Sequence, residues 1–515
     1  MTLTQQQVAA VHAVVHACQA TSSGQPPRHF VLDAVAGSGK SSTLVSMVRA
    51  LANVVPSANI LLLQYNQEAC VQMKDRLSDA DLPCTIHVHT IHSFGLRLLG
   101  YPQVDPEKLY KLWHRTMDLE GVDAEEIRQK WAILQRAVDR IRHSGHCPSF
   151  AERPLALDLS ILERALSDRM VLDHEDAVYH SIHYRMKPEM EYDLVLVDEA
   201  QDLNDASHVF LRKCVVLRTS RTVLCAVGDP AQAIYQFRGA NPDSLGKLRT
   251  VFQASCLSLT CCFRCPRRVV FVASHLYPSI QAAPTAPLGF VHICKSTERR
   301  SDVWAMLEEA VKAFPSEESV LFITRNNRCI LDLVKHLYQH PDSTLCMRGS
   351  IRWAAPGIQA QLQQLDCDSG QSTSLAELVA TAQGCIDDIH RPLEGAVVHI
   401  LNSALDMEGG SVLVHSSHFL AFVRMLMTEP NKKCSLTLST IHGSKGAEHD
   451  HVVLYQYNLL GGGHGVNDAQ ERNLLYIAVT RARSSLTFLM HKRTQHVPSA
   501  LLPPDIISVS RTLGD

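Results

Sequence analysis

Ala34-Val35-Ala36-Gly37-Ser38-Gly39-Lys40-Ser41 is the stretch on which the fold turns. The apolar run Phe30 to Asp33 before it predicts the end of a buried strand, and Thr43 to Leu51 after it predicts a helix. A strand, a glycine-rich turn and a helix opening with Lys-Ser form a phosphate cradle. The backbone N–H groups of Ala36, Gly37, Ser38 and Gly39, continued by Lys40, Ser41 and Ser42 at the helix start, present partial positive charge to an anion. Lys40 adds a full charge on the β- and γ-phosphates, and the Ser41 hydroxyl is expected to hold Mg²⁺. The strict pattern asks for glycine where Ala34 stands. An ordinary glycine turn before a helix is therefore the competing reading, and the rest of the chain decides.

The totals bound the answer. A chain of 515 residues should hold two to four domains. Hydrophobic content of 46% against 20% charged residues describes a soluble globular protein with ample core. No window approaches about 18 uninterrupted apolar residues, so no membrane span is expected. A net charge of -3 does not exclude an acidic partner, because charge can be local. Sixteen cysteines without a signal-peptide pattern suggest a reducing compartment and mostly free thiols.

Along the chain, residues 1–20 have a helical apolar pattern and 21–28 form a Ser/Gly/Pro loop. Ile60 to Leu63 predicts a parallel strand, Gln67 to Leu77 a helix and Ile86 to Val88 another strand, with Thr90-Ile91-His92 at its end. Ligands of open α/β sheets collect at such carboxyl ends. Residues 101–185 change to a helical, charge-dense pattern and read as an insertion, with Trp113 and Trp131 expected in its core. Tyr192 to Val197 and Val223 to Val227 return to buried strands. A second alternation starts near Cys256 and runs through Val320 to Thr324. It resumes at Leu436 to Ile441, Val452 to Tyr455 and Leu486 to Met490. The resulting division is a first α/β lobe at 1–100 and 186–250 with a helical insertion at 101–185. A second lobe follows at 251–330 and 431–497, interrupted by 331–430, and 498–515 reads as a loose tail.

Chemistry gathers at the predicted strand ends. Asp198-Glu199 follows Leu194-Val195-Leu196-Val197. Asp198 is suited to hold Mg²⁺, and Glu199 to orient or deprotonate an attacking water. Downstream, Gly228 to Ala240 places an amide, Gln232, and an arginine, Arg238, around Tyr235 and Phe237. Gln232 is suited to sense a γ-phosphate. The two aromatics either stack on bases, at about 1–3 kcal/mol per base, or belong to the core.

In this order the motifs resemble the UvrD/Rep family of superfamily 1 DNA helicases, over Leu3 to Leu489. The resemblance implies two RecA-like P-loop motor lobes with parallel sheets, each interrupted by an insertion, and ATP and Mg²⁺ as cofactors. Leu3 to Gln7 is similar to the family's adenine-reading motif, which makes Gln7 the adenine contact, and Ala34 becomes a family trait. Tyr65-Asn66 and Thr90-Ile91-His92 resemble its first-lobe strand-contacting motifs, Asp198 to Asp202 its magnesium motif, and Gln232 to Ala240 its coupling motif. In the second lobe, Leu259 to Cys265 implies Phe263 stacked on adenine and Arg264 on the γ-phosphate. Ser439 to Glu448 implies Thr440 and His442 on the DNA backbone and Glu448 on the ribose. Glu471 to Ala482 implies Arg481 as an arginine finger, a group that contributes about 10³–10⁵ in rate. Its planar fork suits phosphate oxygens better than lysine would. Single-stranded DNA would then lie on Tyr65, Asn66, Thr90, His92, Tyr235, Phe237, Thr440 and His442. The resemblance further implies 3′→5′ movement, duplex junctions as substrate, recombination or replication proteins as partners, and an intracellular location wherever DNA is.

The departures sharpen the reading. Phe237 stands where many relatives have tryptophan, and Ala447 and His449 replace bulkier apolar residues. Tyr65-Asn66 and Phe237 are nearer the F-box DNA helicase branch, but no separate F-box is expected ahead of Leu3, so an F-box partner is not implied. The interruption at 331–430 is shorter than its bacterial counterpart, which bears on strand separation rather than ATP hydrolysis. Three activities follow: a duplex-unwinding helicase, a translocase that strips proteins such as recombinase filaments, and a non-motor nucleic-acid clamp. Cys256, Cys261, Cys262 and Cys265 read as buried thiols rather than a metal half-site. His87, His89 and His92 are expected to be split by strand alternation. Arg299-Arg300 and Lys432-Lys433 read as solvated pairs.

Overall fold

Buried apolar runs of four to six residues, each closed by a polar turn, become the strands of two parallel sheets. The computed structural model describes residues 3–78, 82–105, 107–116, 124–144, 171–216, 221–296, 349–351, 436–455 and 468–491, and 304–325 in part. The chain divides into two compact units, Met1–Thr260 and Cys261–Asp515. Among the described residues each has a six-stranded sheet of the RecA-like α/β type. Among the described residues no helix is long and apolar enough to cross a membrane.

In the first unit, α1 (Gln5–Ser22) precedes β1 (Phe30–Ala34), α2 (Lys40–Val54), β2 (Asn59–Gln64), α3 (Gln67–Ser78), β3 (Thr85–Thr90) and α4 (Ile91–Leu98). The chain then passes through β4 (Gln103–Val104), α5 (Lys108–Thr116), α6 (Ala124–Ser144), β5 (Val171–Leu172) and α7 (His174–His183). It returns to the sheet with β6 (Leu194–Val197), α8 (Asp205–Phe210), β7 (Val223–Gly228), α9 (Ser244–Phe252) and β8 (Ser255–Leu259). The sheet order is β3-β2-β6-β7-β1-β8, with every neighbouring pair parallel. Period-two alternation feeds both faces. Leu32, Leu62, Leu196 and Cys225 join Val14, Leu44 and Met73 on one side. Val31, Leu61, Leu63, Val195 and Ala226 join Phe94, Val178, Phe210 and Leu248 on the other.

Two expectations change here. Cys256 lies in β8, which pairs with β1 and so closes the edge of the first sheet rather than opening the second lobe. Its thiol is exposed, against the expectation of a buried one, because an edge strand leaves one side open. His87 and His89 are two residues apart on β3 and share a face, with ring centroids 6.3 Å apart, because strand side chains repeat every second residue. They are not split. His87 Nδ1 bonds the Tyr192 hydroxyl at 2.9 Å, and His89 Nε2 faces Arg97 at 3.3 Å.

The described part of the helical insertion has its own small core of Leu109, Trp113, Leu134, Val138, Ile141 and Tyr179, with Trp131 packed against it. Beside it Arg142 reaches Asp173 at 2.7 Å and Asp176 at 2.8 Å, and Lys108 reaches Asp176 at 2.7 Å, all four buried. This two-cation, two-anion set joins α5, α6 and the start of α7, where Asp173 and Asp176 also form the capping box.

The second unit opens with β9 (Cys261–Cys262), α10 (Arg267–Leu276) and β10 (Gln281–Ala282). Its sheet runs β11 (Phe290–Ser296), β16 (Ala482–His491), β15 (His449–Tyr455), β12 (Val320–Thr324), β14 (Leu436–Thr440) and β13 (Gly349–Ile351), all parallel, with α11 (Asp468–Val479) before β16. Leu321, Phe322, Leu438, Val453 and Leu486 are fully or almost fully buried. Except for β13, the predicted interruption at 331–430 lies outside the described residues, as do the tail at 498–515, Arg299-Arg300 and Lys432-Lys433.

Candidate functional site

In the first unit the predicted residues converge at the carboxyl ends of the strands. β1 lies between β7 and β8, and the chain reaches β2 only by crossing β7 and β6, so the strand order reverses at β1. Ligands bind at such reversals. The turn after β1 needs left-handed backbone at Gly37 (φ 67°) and Gly39 (φ 78°), the latter at the N-cap of α2. Ser38 is buried, and its hydroxyl has no hydrogen-bond partner. An oxyanion held by the turn would supply one. Ser41 and Ser42 sit in the first turn of α2, half-buried and exposed respectively. Gln7 lies under this turn. Its Nε2 donates to Ser38 O at 3.3 Å and Thr43 Oγ1 at 3.2 Å, and its Oε1 accepts from Thr4 N at 2.9 Å.

Lys40 Nζ lies 3.4 Å from Glu199 Oε1. Asp198 is buried at the end of β6 and accepts from Glu199 N at 2.9 Å. Burial, aided by the Glu199 charge and opposed by Lys40, pushes its carboxyl up to about 6. A buried carboxylate so short of positive charge is suited to a divalent cation, and Ser38, Ser41 and the glycine turn complete a set that fits Mg·ATP.

Two further residues belong here that sequence reasoning did not assign. Asp229 is buried, accepts from Gln232 Nε2 at 2.6 Å, and so fixes the amide predicted to sense phosphate. Gln201 bonds Glu199, Asp202 and the Asp229 backbone. Both lie inside quoted motifs, but their partners are set by the adjacency of β6 and β7, which no spacing along the chain announces.

The residues predicted to contact the DNA strand line the same edge. Tyr65 stacks on Tyr235, with centroids 5.5 Å apart and planes 7° apart. Phe237 is 64% exposed, which removes the core reading for that ring. Arg238 lies 5.3 Å from the Tyr235 centroid and 5.5 Å from that of Phe237. The loop is tied back to the magnesium motif, since Asn241 N donates to Leu203 O at 2.9 Å and Asn204 bridges Ala240. Asn66 and Thr90 use their side chains as helix caps, accepting from Ala69 N at 2.7 Å and Ser93 N at 3.0 Å. His92 Nε2 lies 3.4 Å from Glu175 Oε2, and His143 Nε2 lies 3.3 Å from the same oxygen. Burial opposes a proton on His92, but the Glu175 hydrogen bond and charge outweigh it and raise the imidazole above its ordinary value.

In the second unit the structure sorts the predicted residues to opposite ends of one sheet. Thr440 ends β14 and His442 lies just beyond it, and Thr440 Oγ1 accepts from Gly443 N at 3.2 Å. Arg325, which was not predicted, follows β12 beside them and grips Glu471 through two nitrogens at 2.7 and 3.2 Å. Glu448 and Arg481 sit at the amino ends of β15 and β16, whose first residues pair as His449 with Ala482. Arg264 joins them. Its Nε is 3.2 Å from Glu448 Oε2, and its Nη1 donates to Thr480 O at 3.1 Å. Arg481 is 1% exposed and donates to Ile477 O, Ala447 O and Thr480 Oγ1 at 3.0–3.3 Å. Phe263 is 49% exposed. Cys262 and Cys265 are buried free thiols, and Cys261 is half-buried.

Comparison with known proteins agrees with this layout. A family described as AAA domain matches residues 18–238, from α1 to the aromatic loop, and one described as UvrD-like helicase C-terminal domain matches residues 435–489. The ATP-dependent DNA helicases PcrA of Staphylococcus aureus and Staphylococcus epidermidis are each 25% identical over 242 residues. That match covers 41% of this chain and 32% of the relative, so the chain aligns with about a third of the length of these relatives. The phosphate turn, the Asp198-Glu199 pair and the aromatic loop lie in the first match, and the run from Thr440 to Arg481 in the second. Over these two spans the chain is similar to the UvrD/Rep family of superfamily 1 helicases.

Proposed function

We propose that the chain is a DNA-dependent ATPase that moves 3′→5′ on single-stranded DNA and unwinds duplex in repair, recombination or replication. One observation carries most of this. The residues suited to ATP hydrolysis and the stacked aromatics share one sheet edge, and the loop from Asp229 to Asn241 connects them. In this reading the glycine turn and Lys40 bind the phosphates, Gln7 reads the adenine, and Ser41 and Asp198 hold Mg²⁺, which when bound neutralises phosphate charge. Glu199 takes the proton of the attacking water, and Gln232, held by Asp229, reports the γ-phosphate to the Tyr235–Phe237 loop. From the second unit, Phe263 and Glu448 serve the nucleoside, Arg264 and Arg481 the γ-phosphate, and Thr440 and His442 the DNA backbone. To serve there Arg481 would exchange present partners, among them the Ile477 and Ala447 carbonyls and the Thr480 hydroxyl, for phosphate oxygens. Tyr65, Asn66, Thr90, His92, Tyr235 and Phe237 face the strand, and bases stack on the exposed ring of Phe237. The polarity and the pathway rest on the family resemblance.

The test is ATP turnover with and without single-stranded DNA, in the full chain and in Lys40→Ala. The expected result is strong DNA stimulation, lost by about 100-fold or more in the variant while DNA binding persists. Full turnover in Lys40→Ala would remove the site assignment. Duplexes carrying either a 3′ or a 5′ tail then read the polarity.

A further inference from the structure

We infer that Gln201 is the positioning residue of the water-activating carboxylate, and that Gly228 exists to make room for it. The inference rests on the reading of Glu199 as the base. Glu199 has left-handed backbone, φ 50° and ψ 39°, in a residue with a full side chain, a conformation that costs about 1–3 kcal/mol and must be held by its surroundings. Its two carboxylate oxygens are pulled in different directions. Oε1 lies 3.4 Å from Lys40 Nζ, while Oε2 accepts from Gln201 Nε2 at 2.5 Å. Without the amide, Lys40 would draw both oxygens into one ion pair, and a carboxylate so engaged is a poor base toward water.

The amide is itself fixed on both atoms. Gln201 Oε1 accepts from Asp229 N at 3.0 Å, and Nε2 also donates to Asp202 Oδ2 at 3.2 Å. A flipped amide would set its oxygen against two carboxylates, so only one orientation serves. The side chain is 1% exposed, which leaves it no alternative place in solvent. Glutamine is the group this position needs, since it is neutral and combines a donor with an acceptor. The floor beneath it is backbone. A Cβ on Gly228 would stand 2.5 Å from Gln201 Oε1 and 3.0 Å from Gln201 N, so any side chain there evicts the amide. Asp229, which accepts Gln232 with its carboxylate, thus donates its N–H to the residue that holds Glu199. The phosphate-reading amide and the base therefore hang from one residue.

The experiment measures steady-state ATP turnover of the full chain with saturating single-stranded DNA, for Gln201→Leu, Gln201→Glu and Gly228→Ala, with Glu199→Gln as reference. Gln201→Leu should lower kcat by about 10–100-fold, while KM for ATP and affinity for a fluorescent ATP analogue stay within about threefold. Gly228→Ala should lower kcat in the same sense. Gln201→Glu supplies a readout that a merely structural role does not move. The introduced carboxyl donates only when protonated, so its kcat relative to wild type should rise as pH falls from about 8 to about 6. This variant keeps the side-chain volume, and it decides the matter if Gln201→Leu does not fold. A kcat within about twofold of wild type in Gln201→Leu, or a flat pH ratio in Gln201→Glu, overturns the inference alone, provided Glu199→Gln is inactive. Full turnover in Glu199→Gln overturns the underlying reading and this inference with it.

Discussion

Phe237 is exposed, while Tyr235, two residues earlier, is half-buried and stacked on Tyr65. The pair divides the labour: Tyr235 anchors the loop to the end of β2, and Phe237 presents an exposed ring. Removing Phe237 should cost the fold little, within about 0.5 kcal/mol for a surface position, and should weaken strand binding by about 1–3 kcal/mol if one base stacks on it. Phe237→Ala is therefore expected to melt like wild type and to keep its ATPase rate without DNA. It should need about fivefold or more additional single-stranded DNA for half-maximal stimulation. The contrary outcome, an equal fall in both rates together with a lower melting temperature, would return the ring to a packing role. Tyr235 is predicted to behave differently, because burial has already pushed its hydroxyl up to about 12 and its ring is part of the packing.

At the scale of elements, Glu175 near the start of α7 faces His92 on α4 and His143 on α6. Burial works against its charge, but hydrogen bonds from His143 and His92 outweigh this and hold the carboxyl well below the usual carboxylate range. Because the His92 imidazole is raised, its contribution is complete below the unfolded value, near 6.5, and is lost as pH rises through the folded value. Glu175 titrates far below this window and stays ionised throughout. Hydrogen exchange of α4 and α7, corrected for intrinsic rates, should show Glu175→Gln less protected than wild type at about pH 6. The difference should fade toward about pH 8.5. A difference that does not vary with pH would assign the bridge no ionic role.

The same elements show what could be read in advance. β2, β6 and β7 were legible because fully buried parallel strands are uninterrupted apolar runs, and their ends were legible because chemistry sits there. β8 was displaced because its edge position gives an alternating pattern with only Leu259 buried, so it reads equally well as the start of the next lobe. The dense charge up to Arg142 reads as part of a helical insertion and gives no sign of which charges pair. Arg142 is nevertheless buried, because its partners Asp173 and Asp176 arrive 31 and 34 residues later. Gln201 was invisible for the same reason, since its role exists only once β7 lies beside β6.

For the whole molecule, 49 Lys and Arg against 52 Asp and Glu leave no net field to draw in a polyanion. Proteins that grip DNA through six to ten phosphate contacts lose about 10³–10⁵ in affinity between 50 and 200 mM salt. Affinity here should instead come from a few local contacts: stacking on Phe237, Arg238 beside the rings, and the backbone contacts proposed for Thr440 and His442. Stacking is nearly indifferent to salt, whereas each phosphate neutralised on a single strand adds only about 0.7 to the logarithmic slope. Equilibrium binding of a single-stranded oligonucleotide over that salt range should therefore weaken by about tenfold or less, and Phe237→Ala should lower the affinity without changing the slope. A loss of about 10³ across the range, with Phe237→Ala binding like wild type, would put phosphate neutralisation in command. The strand path would then have to be sought on basic residues rather than along the aromatic edge of the first sheet.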